Sequence, residues 1–328
     1  PINGSGVYCE ISFNLSTTYD DHANKTFNVS DGLYYHNRTF NTSGTYDYRT
    51  VCDGTIIGYA SVEITEDLQI NNTEPVIENV TLNSTGSNYT SDNLTLYFDA
   101  YDSDNDNIKN ITNWFKDGIS ITLLNMPFEA DGDQNATDYS GFGNNGTVFN
   151  VTFNATGGYD GFGAYHFDGD SDGVNVPSSA SVRGLGKASV SFWYKADSET
   201  SSGAGLYYES TSTAGYGRFS IFHLEDGNIT CNVRDSETGT NFQAQTSSPI
   251  QNGIWHHIVC TFDSVSDEQV LYIDGVVNAT NTDSKGPFTS TAPADPRSIG
   301  YYPAPAGPWS TNGSVDECVL FNRSLSAE

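Results

Sequence analysis

The segment Ser189-Val190-Ser191-Phe192-Trp193-Tyr194-Lys195 alternates along its length, with Val190 and Phe192 on one face of an extended chain and the serines on the other. Residues 258–262 and 270–273 show the same alternation. Such runs are typical of half-buried antiparallel strands. Many short strands separated by Gly and Asp turns predict an all-β sandwich.

The composition agrees with an all-β fold. Tyr (20) and Phe (18) far outnumber Met (1), and aromatic residues favour strands. The 328 residues suffice for two or three domains. The net charge of -28, with only 13 Lys and Arg, argues against a nucleic-acid partner. No run of 18 apolar residues predicts a membrane span, and no signal peptide is present, so we expect a mature product or a fragment.

Sequons for N-glycosylation are the most frequent motif. Asn-x-Ser/Thr, with x other than Pro, occurs at 20 of 31 asparagines, whereas the 69 serines and threonines would give about 6 or 7 by chance. This excess predicts covalent N-glycans and an extracellular or cell-surface location. The alternative is that these residues serve only in turns and strands. The predicted acceptors are Asn3, Asn14, Asn24, Asn28, Asn37, Asn41, Asn71, Asn79, Asn83, Asn88, Asn93, Asn110, Asn135, Asn145, Asn150, Asn154, Asn228, Asn278, Asn312 and Asn322.

The acceptors are unevenly distributed. Sixteen lie in residues 1–160, and none lies between Ala155 and Gly227. A glycan cannot occupy a surface that packs against protein. The bare stretch is therefore expected to be core strand or a contact face.

Five cysteines are present, and no Cys-x-x-Cys pair points to zinc. Cys9 and Cys52 lie in strand-like segments, and we predict a bridge between them across a small sandwich. It would close a loop of about 43 residues, worth ~3–4 kcal/mol. At most two of the remaining cysteines, Cys231, Cys260 and Cys318, can pair, and the pairing is left open.

Residues 1–70 carry turn signals at Asp31-Gly32, Ser43-Gly44 and Asp53-Gly54. The two-cysteine spacing and Gly44-Thr45-Tyr46-Asp47-Tyr48 resemble an immunoglobulin-like domain. The segment departs from antibody domains because it has no Trp and has Thr50 two places before the second cysteine. A sandwich is expected here.

After a linker at residues 71–74, residues 75–120 carry two strands, an acidic turn and the start of another strand. They resemble the front half of the Ig-like modules of microbial surface proteins. A full sandwich needs about 100 residues. We therefore expect this partial module to be completed by chain beyond the sequence, by the 1–70 domain, or by a strand donated from another copy.

Residues 121–328 contain six segments in the order found in laminin-G-like, concanavalin A-like jelly rolls, and the resemblance implies that fold. The segments are Asp138–Thr147, Gly163–Asp170, Val190–Lys195, Trp255–Asp263, Leu271–Gly275 and Val315–Ser326.

Two sets of carboxylates are candidate calcium ligands. Asp102, Asp104 and Asp106 alternate as ligands do, but Asn107 and Asn113 stand where an EF-hand needs Gly and Glu, so a solvated turn is the alternative. The jelly-roll resemblance implies a structural Ca²⁺ held by Asp138, Asp316 and Glu317, with turn capping as the alternative. The list of candidate metal ligands is Asp102, Asp104, Asp106, Asp138, Asp316 and Glu317.

No active site is apparent. Concanavalin A-like glycosidases need paired carboxylates, and neither Glu-x-Asp-x-x-Glu nor a Gly-x-Ser-x-Gly elbow occurs. His256 and His257 are neighbours in a strand and therefore point to opposite faces, so we assign them structural roles. We expect no enzymatic activity.

The function is predicted to be structural: a subunit of a cell-surface filament or coat that self-assembles by strand exchange. A monomeric adhesin that binds external glycans through its jelly roll is the alternative. The candidate sugar-binding or contact residues, in Gly/Pro-rich stretches, are Tyr207, Tyr208, Tyr216, Tyr301, Tyr302 and Trp309.

Overall fold

The protein is described by a computed structural model. The described residues are 7–13, 26–28, 33–35, 44–54, 62–70, 73–86, 92–129, 135–177, 179–180, 185–197, 203–210, 217–234, 241–283, 297–302 and 309–326, with backbone alone for residues 7–70, Ser210 and Gly217.

The described residues form strands and no α-helix. None of them forms a helix long and apolar enough to cross a membrane. The strands are β1 (Val7–Phe13), β2 (Thr26–Asn28), β3 (Leu33–Tyr35), β4 (Gly44–Gly54), β5 (Val62–Ile70), β6 (Val76–Ser84), β7 (Leu94–Tyr101), β8 (Phe115–Lys116), β9 (Ile119–Ser120), β10 (Thr122–Met126), β11 (Asn135–Ala136), β12 (Gly146–Phe149), β13 (Thr152–Asn154), β14 (Ala164–Asp168), β15 (Gly173–Asn175), β16 (Lys187–Ala196), β17 (Ala204–Ser210), β18 (Gly217–His223), β19 (Ile229–Arg234), β20 (Asn241–Gln245), β21 (His256–Asp263), β22 (Glu268–Ile273), β23 (Val276–Asn281), β24 (Arg297–Ile299), β25 (Tyr301–Tyr302), β26 (Trp309–Ser310) and β27 (Asn312–Phe321).

The chain divides into two compact units, residues 1–108 and 109–328. Residues 109–120, which the sequence placed in the partial module of residues 75–120, belong to the second of these units. The Asn113 side chain gives one reason, because it donates to the Ser140 carbonyl at 2.7 Å and accepts from the Ser120 and Thr122 hydroxyls at 3.0 Å.

In the first unit, β1, β4 and β5 form a three-stranded antiparallel sheet, and β2 pairs with β3. The register of β1 and β4 sets Cys9 directly opposite Cys52. The two cysteines are thus neighbours within one sheet rather than across two. Their side chains lie outside the described residues, so the bridge stays a prediction, as does the Ig-like sandwich.

The hairpin of β6 and β7 has one face that is apolar except for Ser84, which lies opposite Leu94. Leu82 lies opposite Leu96 and Ile77 opposite Ala100, while a bulge separates Glu78 from Thr81. Leu96 and Ala100 share a face of β7 by alternation, and the bulge in β6 keeps Ile77 on the same face as Leu82. Several of them are more than half exposed. The face consists of Ile77, Val80, Leu82, Leu94, Leu96, Phe98 and Ala100.

The second unit is a two-sheet jelly roll, as expected. One sheet has the order β13-β14-β27-β16-β21-β22-β23, with β10 also paired to β27, and the other has the order β11-β12-β15-β24-β17-β18-β19-β20. Inward side chains of both sheets, such as Phe192, Phe262, Phe219 and Ile221, form one hydrophobic cluster. The all-β fold class is confirmed.

The pairing left open among the last three cysteines is resolved. Cys231 in β19 and Cys260 in β21 form a disulfide, with Cα atoms 6.0 Å apart, that joins the two sheets. Cys318 in β27 is a free, buried thiol. Burial raises the pKa of this thiol to about 12.

Candidate functional site

The outward face of β18, β19 and β20 carries a row of polar side chains. Ser220 pairs with Asn232, and Arg234 with Asn241, across neighbouring strands. The intervening residues, such as Ile221 and Cys231, belong to the core. Because side chains alternate, the polar row must lie on the opposite face from the core.

Aromatic rings from distant segments meet beside this row. Trp309 lies opposite Tyr302 in the β25–β26 hairpin. Their ring centroids are 5.6 Å apart, and Phe222 packs edge-on against both, at 5.4 Å from Tyr302 and 5.3 Å from Trp309. Tyr208 tilts against Tyr302 at 4.6 Å. Edge-to-face packing of this kind holds the rings in fixed orientations.

Gly205 in β17 allows the hairpin to approach the sheet. A Cβ atom at this position would lie 2.7 Å from the Cβ of Tyr302 and 2.8 Å from its backbone nitrogen. Real Cβ atoms do not make such contacts, so a larger residue would push Tyr302 away. The glycine is therefore part of how the chain builds the aromatic cluster.

Two depressions flank Trp309. The first, the aromatic–amide pocket, has a volume of about 150 Å³ and is lined by Ser220, Phe222, Asn232, Arg234, Asn241, Tyr302 and Trp309. The second has a volume of about 320 Å³ and is lined by Gly203, Leu224, Glu225, Asp226 and Trp309. Trp309 thus presents its ring to both.

The aromatic residues that were predicted to bind sugar or make contacts lie in different environments. Tyr208, Tyr302 and Trp309 come together, as described, but Tyr208 is fully buried beneath Tyr302 and does not line the pocket. Tyr207 instead lies in the core, 1% exposed, because it is adjacent to Tyr208 in a strand and must face the other way. Tyr301 packs edge-on against Phe149 at 5.5 Å, away from the pocket.

Tyr216 lies outside the described residues. Phe222 and the members of the polar row were not predicted from the sequence, although they alternate with core residues along three consecutive strands. The missed residues are Ser220, Phe222, Asn232, Arg234 and Asn241.

The candidate calcium ligands of the jelly roll do not form one site. Glu129, Asp316 and Glu317 have oxygens within 4.8 Å of one another, a spacing that could hold a metal ion. However, the Lys109 ammonium is already bound there, with Nζ 2.8 Å from Glu129 Oε1 and 2.5 Å from Glu317 Oε1. It also bonds to Asp160. The Glu129 and Glu317 carboxylates are thus already paired with a cation that the chain itself supplies.

Asp316 is buried at the edge of this cluster. Its Oδ2 accepts from the Tyr159 backbone N–H and its Oδ1 from that of Glu317, both at 2.8 Å. Burial raises the pKa of Asp316 to about 7, and the Glu317, Asp160 and Glu129 carboxylates act in the same direction, against the Tyr159 hydrogen bond.

Asp138, predicted to join that site, caps a turn. Its carboxylate accepts from the backbone N–H groups of Asn125, Ser140 and Asn144, and from the Ser140 hydroxyl at 2.6 Å. It is not among the carboxylates that come together. The structure matches the turn-capping alternative.

The Asp102–Asp106 turn is also held by capping. Asp102 Oδ1 accepts from the N–H groups of Asp104 and Asp106, and Asp104 Oδ2 accepts from the Thr73 N–H at 2.7 Å. The Thr73 backbone N–H and the Thr73 hydroxyl both donate to the Asp104 carboxylate, and these two hydrogen bonds lower its pKa. The three carboxylates do not form a group of ligand oxygens.

His256 and His257 make separate contacts. His256 bonds to Asp274 at 2.8 Å, while His257 bonds to the Ser191 hydroxyl at 2.8 Å and stacks on Trp193. Burial lowers the pKa of His257. The two rings point in opposite directions and do not form a joint metal or catalytic pair.

The predicted glycan acceptors with described side chains are all accessible. Ten are exposed, two (Asn228 and Asn312) are half-buried, and none is buried, whereas the buried asparagines Asn125, Asn144 and Asn232 lie outside sequons. The exposed ten are Asn79, Asn83, Asn93, Asn110, Asn135, Asn145, Asn150, Asn154, Asn278 and Asn322. The side chains that lie outside the described residues are Asn3, Asn14, Asn24, Asn28, Asn37, Asn41, Asn71 and Asn88.

Residues 168–328 match the family described as the concanavalin A-like lectin/glucanases superfamily. No curated protein matches the chain. Among solved structures, the chain is similar to a botulinum neurotoxin serotype D binding domain (15% identity, 63% of this chain and 49% of that chain, TM-score 0.47). It is also similar to a Trypanosoma rangeli sialidase in complex with 2,3-difluorosialic acid (15% identity, 63% and 32%, TM-score 0.47). A third is the Ruminococcus gnavus IT-sialidase CBM40 bound to alpha2,3 sialyllactose (16% identity, 49% and 91%, TM-score 0.41). The chain spans about half of that neurotoxin domain and a third of the T. rangeli sialidase.

Proposed function

We propose, from the premise that residues 168–328 are a concanavalin A-like domain, that this protein binds carbohydrate through the aromatic–amide pocket. The observation that carries the proposal is the meeting of Phe222, Tyr302 and Trp309 beside a polar row on the outward face of the second sheet. Fold alone assigns no function, and the residues of this site are what support carbohydrate binding.

The chemistry of the pocket suits a sugar ring. A pyranose has apolar C–H faces and a rim of hydroxyl groups. Trp309 and Tyr302 are half-buried and provide apolar faces. Asn232 and Asn241 offer both donors and acceptors, and Arg234 offers donors, so hydroxyls of either orientation find partners.

A glycan array of neutral and acidic oligosaccharides, followed by titration calorimetry of the best ligand, tests this proposal. Trp309→Ala is expected to weaken binding at least tenfold, and Asn232→Ala several-fold. Tyr159→Ala is the matched control, because Tyr159 is a half-exposed aromatic that stacks on Trp193 in the other sheet. Absence of binding across the array, or equal affinity of the Trp309→Ala variant, would contradict the proposal.

A second candidate function is supported by the apolar face of the β6–β7 hairpin. Ile77 is 61%, Val80 62% and Leu82 54% exposed, which is unusual for large aliphatic residues in a strand. The acceptors Asn83 and Asn93 alternate with Leu82 and Leu94, so glycans there would leave this face uncovered. We therefore propose that copies assemble into a filament or coat by covering it with strands of a neighbouring copy.

Light scattering and electron microscopy of the purified protein test the assembly proposal. Leu82→Asp is expected to abolish polymers, while Tyr97→Asp, on the other face of the same hairpin, is expected to leave them intact. Monomers in the native sample, or polymers in the Leu82→Asp sample, would remove this candidate.

The accessible sequons support a glycosylated protein of the cell exterior. Glycopeptide mass spectrometry of the native protein is expected to find glycans at most of the ten exposed acceptors. Unmodified peptides throughout would refute it. Calcium has no part in the proposal, because Lys109 is bound to the carboxylates that would hold it.

A further inference from the structure

We propose that Lys109 acts as a built-in cation that replaces a divalent metal ion in the second unit and makes this unit independent of calcium. This disagrees with the structural Ca²⁺ that the jelly-roll resemblance implies. The cluster concerned, the Lys109 cluster, consists of Lys109, Glu129, Asp160, Asp316 and Glu317.

The ammonium joins parts of the chain that are far apart in sequence. Glu129 follows β10, Asp160 lies between β13 and β14, and Glu317 lies in β27. Lys109 bonds to all three carboxylates. Linking distant acidic segments through one positive centre is what a hard cation does when it binds oxygen ligands.

The cluster needs positive charge in order to fold. The side chain of Glu129 is 6% exposed and that of Glu317 30%, so their mutual repulsion is only partly screened by water. Burial disfavours the charged form of Lys109, but its hydrogen bonds to Asp160, Glu129 and Glu317 outweigh this and raise its pKa. The ammonium therefore stays charged at all physiological pH values.

Lys109 also organises the neighbouring loop. Its Nζ lies 5.7 Å from the centre of the Phe162 ring, and Asp160 Oδ1 accepts from the Phe162 N–H at 2.9 Å. Gly163 N–H donates to Glu129 Oε2 at 2.9 Å. One cation thus fixes the 160–163 segment against β27.

A divalent ion would compete poorly at this position. It would have to displace an ammonium that is covalently attached and therefore always present at high local concentration. Each oxygen of Asp316 already accepts one backbone hydrogen bond, so this carboxylate has only its remaining lone pairs to offer a metal. Only removal of the lysine charge would leave Glu129, Asp316 and Glu317 free for a metal.

The test is the melting temperature of the full chain in EDTA and in millimolar CaCl₂ at constant ionic strength. The native protein is expected to shift by less than 1 °C between the two. Lys109→Met is expected to melt several degrees lower in EDTA and to recover part of the loss in CaCl₂, because a ligand that binds only the folded state stabilises it. Calorimetry should detect Ca²⁺ binding to this variant alone.

Lys187→Met is the matched control, because Lys187 makes one partly exposed ion pair with Asp263 at 2.7 Å. It is expected to behave as the native protein does in both conditions. A calcium-dependent rise in the melting temperature of the native protein that Glu129→Gln removes would overturn the proposal. So would a Lys109→Met variant that is as stable as the native protein in EDTA. If Lys109→Met does not fold, the native titration and Lys109→Arg, which should keep native stability, still decide the matter.

Discussion

The disulfide between the two sheets gives the most direct stability prediction. Replacing both Cys231 and Cys260 by Ala removes a cross-link between residues 29 apart in sequence. Loop-closure entropy for that length gives about 12 cal/mol/K, or about 3.6 kcal/mol at 25 °C. Both cysteines are fully buried, so lost packing adds to this figure.

Urea unfolding followed by aromatic fluorescence measures the difference. Cys318→Ala is the matched control, because it removes a buried sulfur without removing a cross-link. The double variant is expected to lose free energy of unfolding both from packing and from the missing cross-link. When twice the loss of the Cys318→Ala control is subtracted, the cross-link is expected to account for about 3–4 kcal/mol. A corrected loss below 1 kcal/mol, with the bond verified by peptide mapping, would refute the reasoning. So would mapping that finds Cys231 paired elsewhere.

Three further predictions concern buried groups. Burial raises the pKa of Asp172 to about 6, so the folded state holds its proton more tightly than the unfolded state, and stability should fall as pH rises from about 4 to 6. Asp172→Asn should remove this decrease when the free energy of unfolding is measured as a function of pH, and an unchanged pH profile would contradict the prediction. The Cys318 thiol should resist Ellman's reagent until the protein unfolds, because it is buried and its pKa is raised; rapid native labelling would count against this. Gly300→Ala should cost about 2–5 kcal/mol by thermal melting, because φ is +80° and a Cβ atom would collide with Phe167; a smaller loss would show that the ring can move aside.

Alternation in the sequence predicted the jelly roll well because its strands are half-buried on regular faces. Val190, Phe192 and Tyr194 all face the core, as the opening segment predicts. By the same alternation, Tyr207 and Tyr208 point to opposite faces of β17. Both were assigned to a loop because the Gly-rich sequence around them did not indicate a strand.

The pocket and the Lys109 cluster were harder to predict, because both depend on contacts between distant segments. Lys109 and Glu317 are 208 residues apart, and nothing local in either segment indicates the ion pair. In a sequence, a charged residue at the start of a unit is usually interpreted as part of a solvated linker. Only the fold shows that this lysine is the partner of three carboxylates.

The position of β27 has a consequence for how the protein is made. This strand lies between β14 and β16 and also pairs with β10, yet it follows β16 by more than a hundred residues. A ribosome or export channel releases the chain in order from its N-terminus. The edges of β14 and β16 that pair with β27 therefore stay unpaired until residues 312–321 emerge. We infer that this unit completes its first sheet only after residues 312–321 have been released, whatever the order in which its other strands pair.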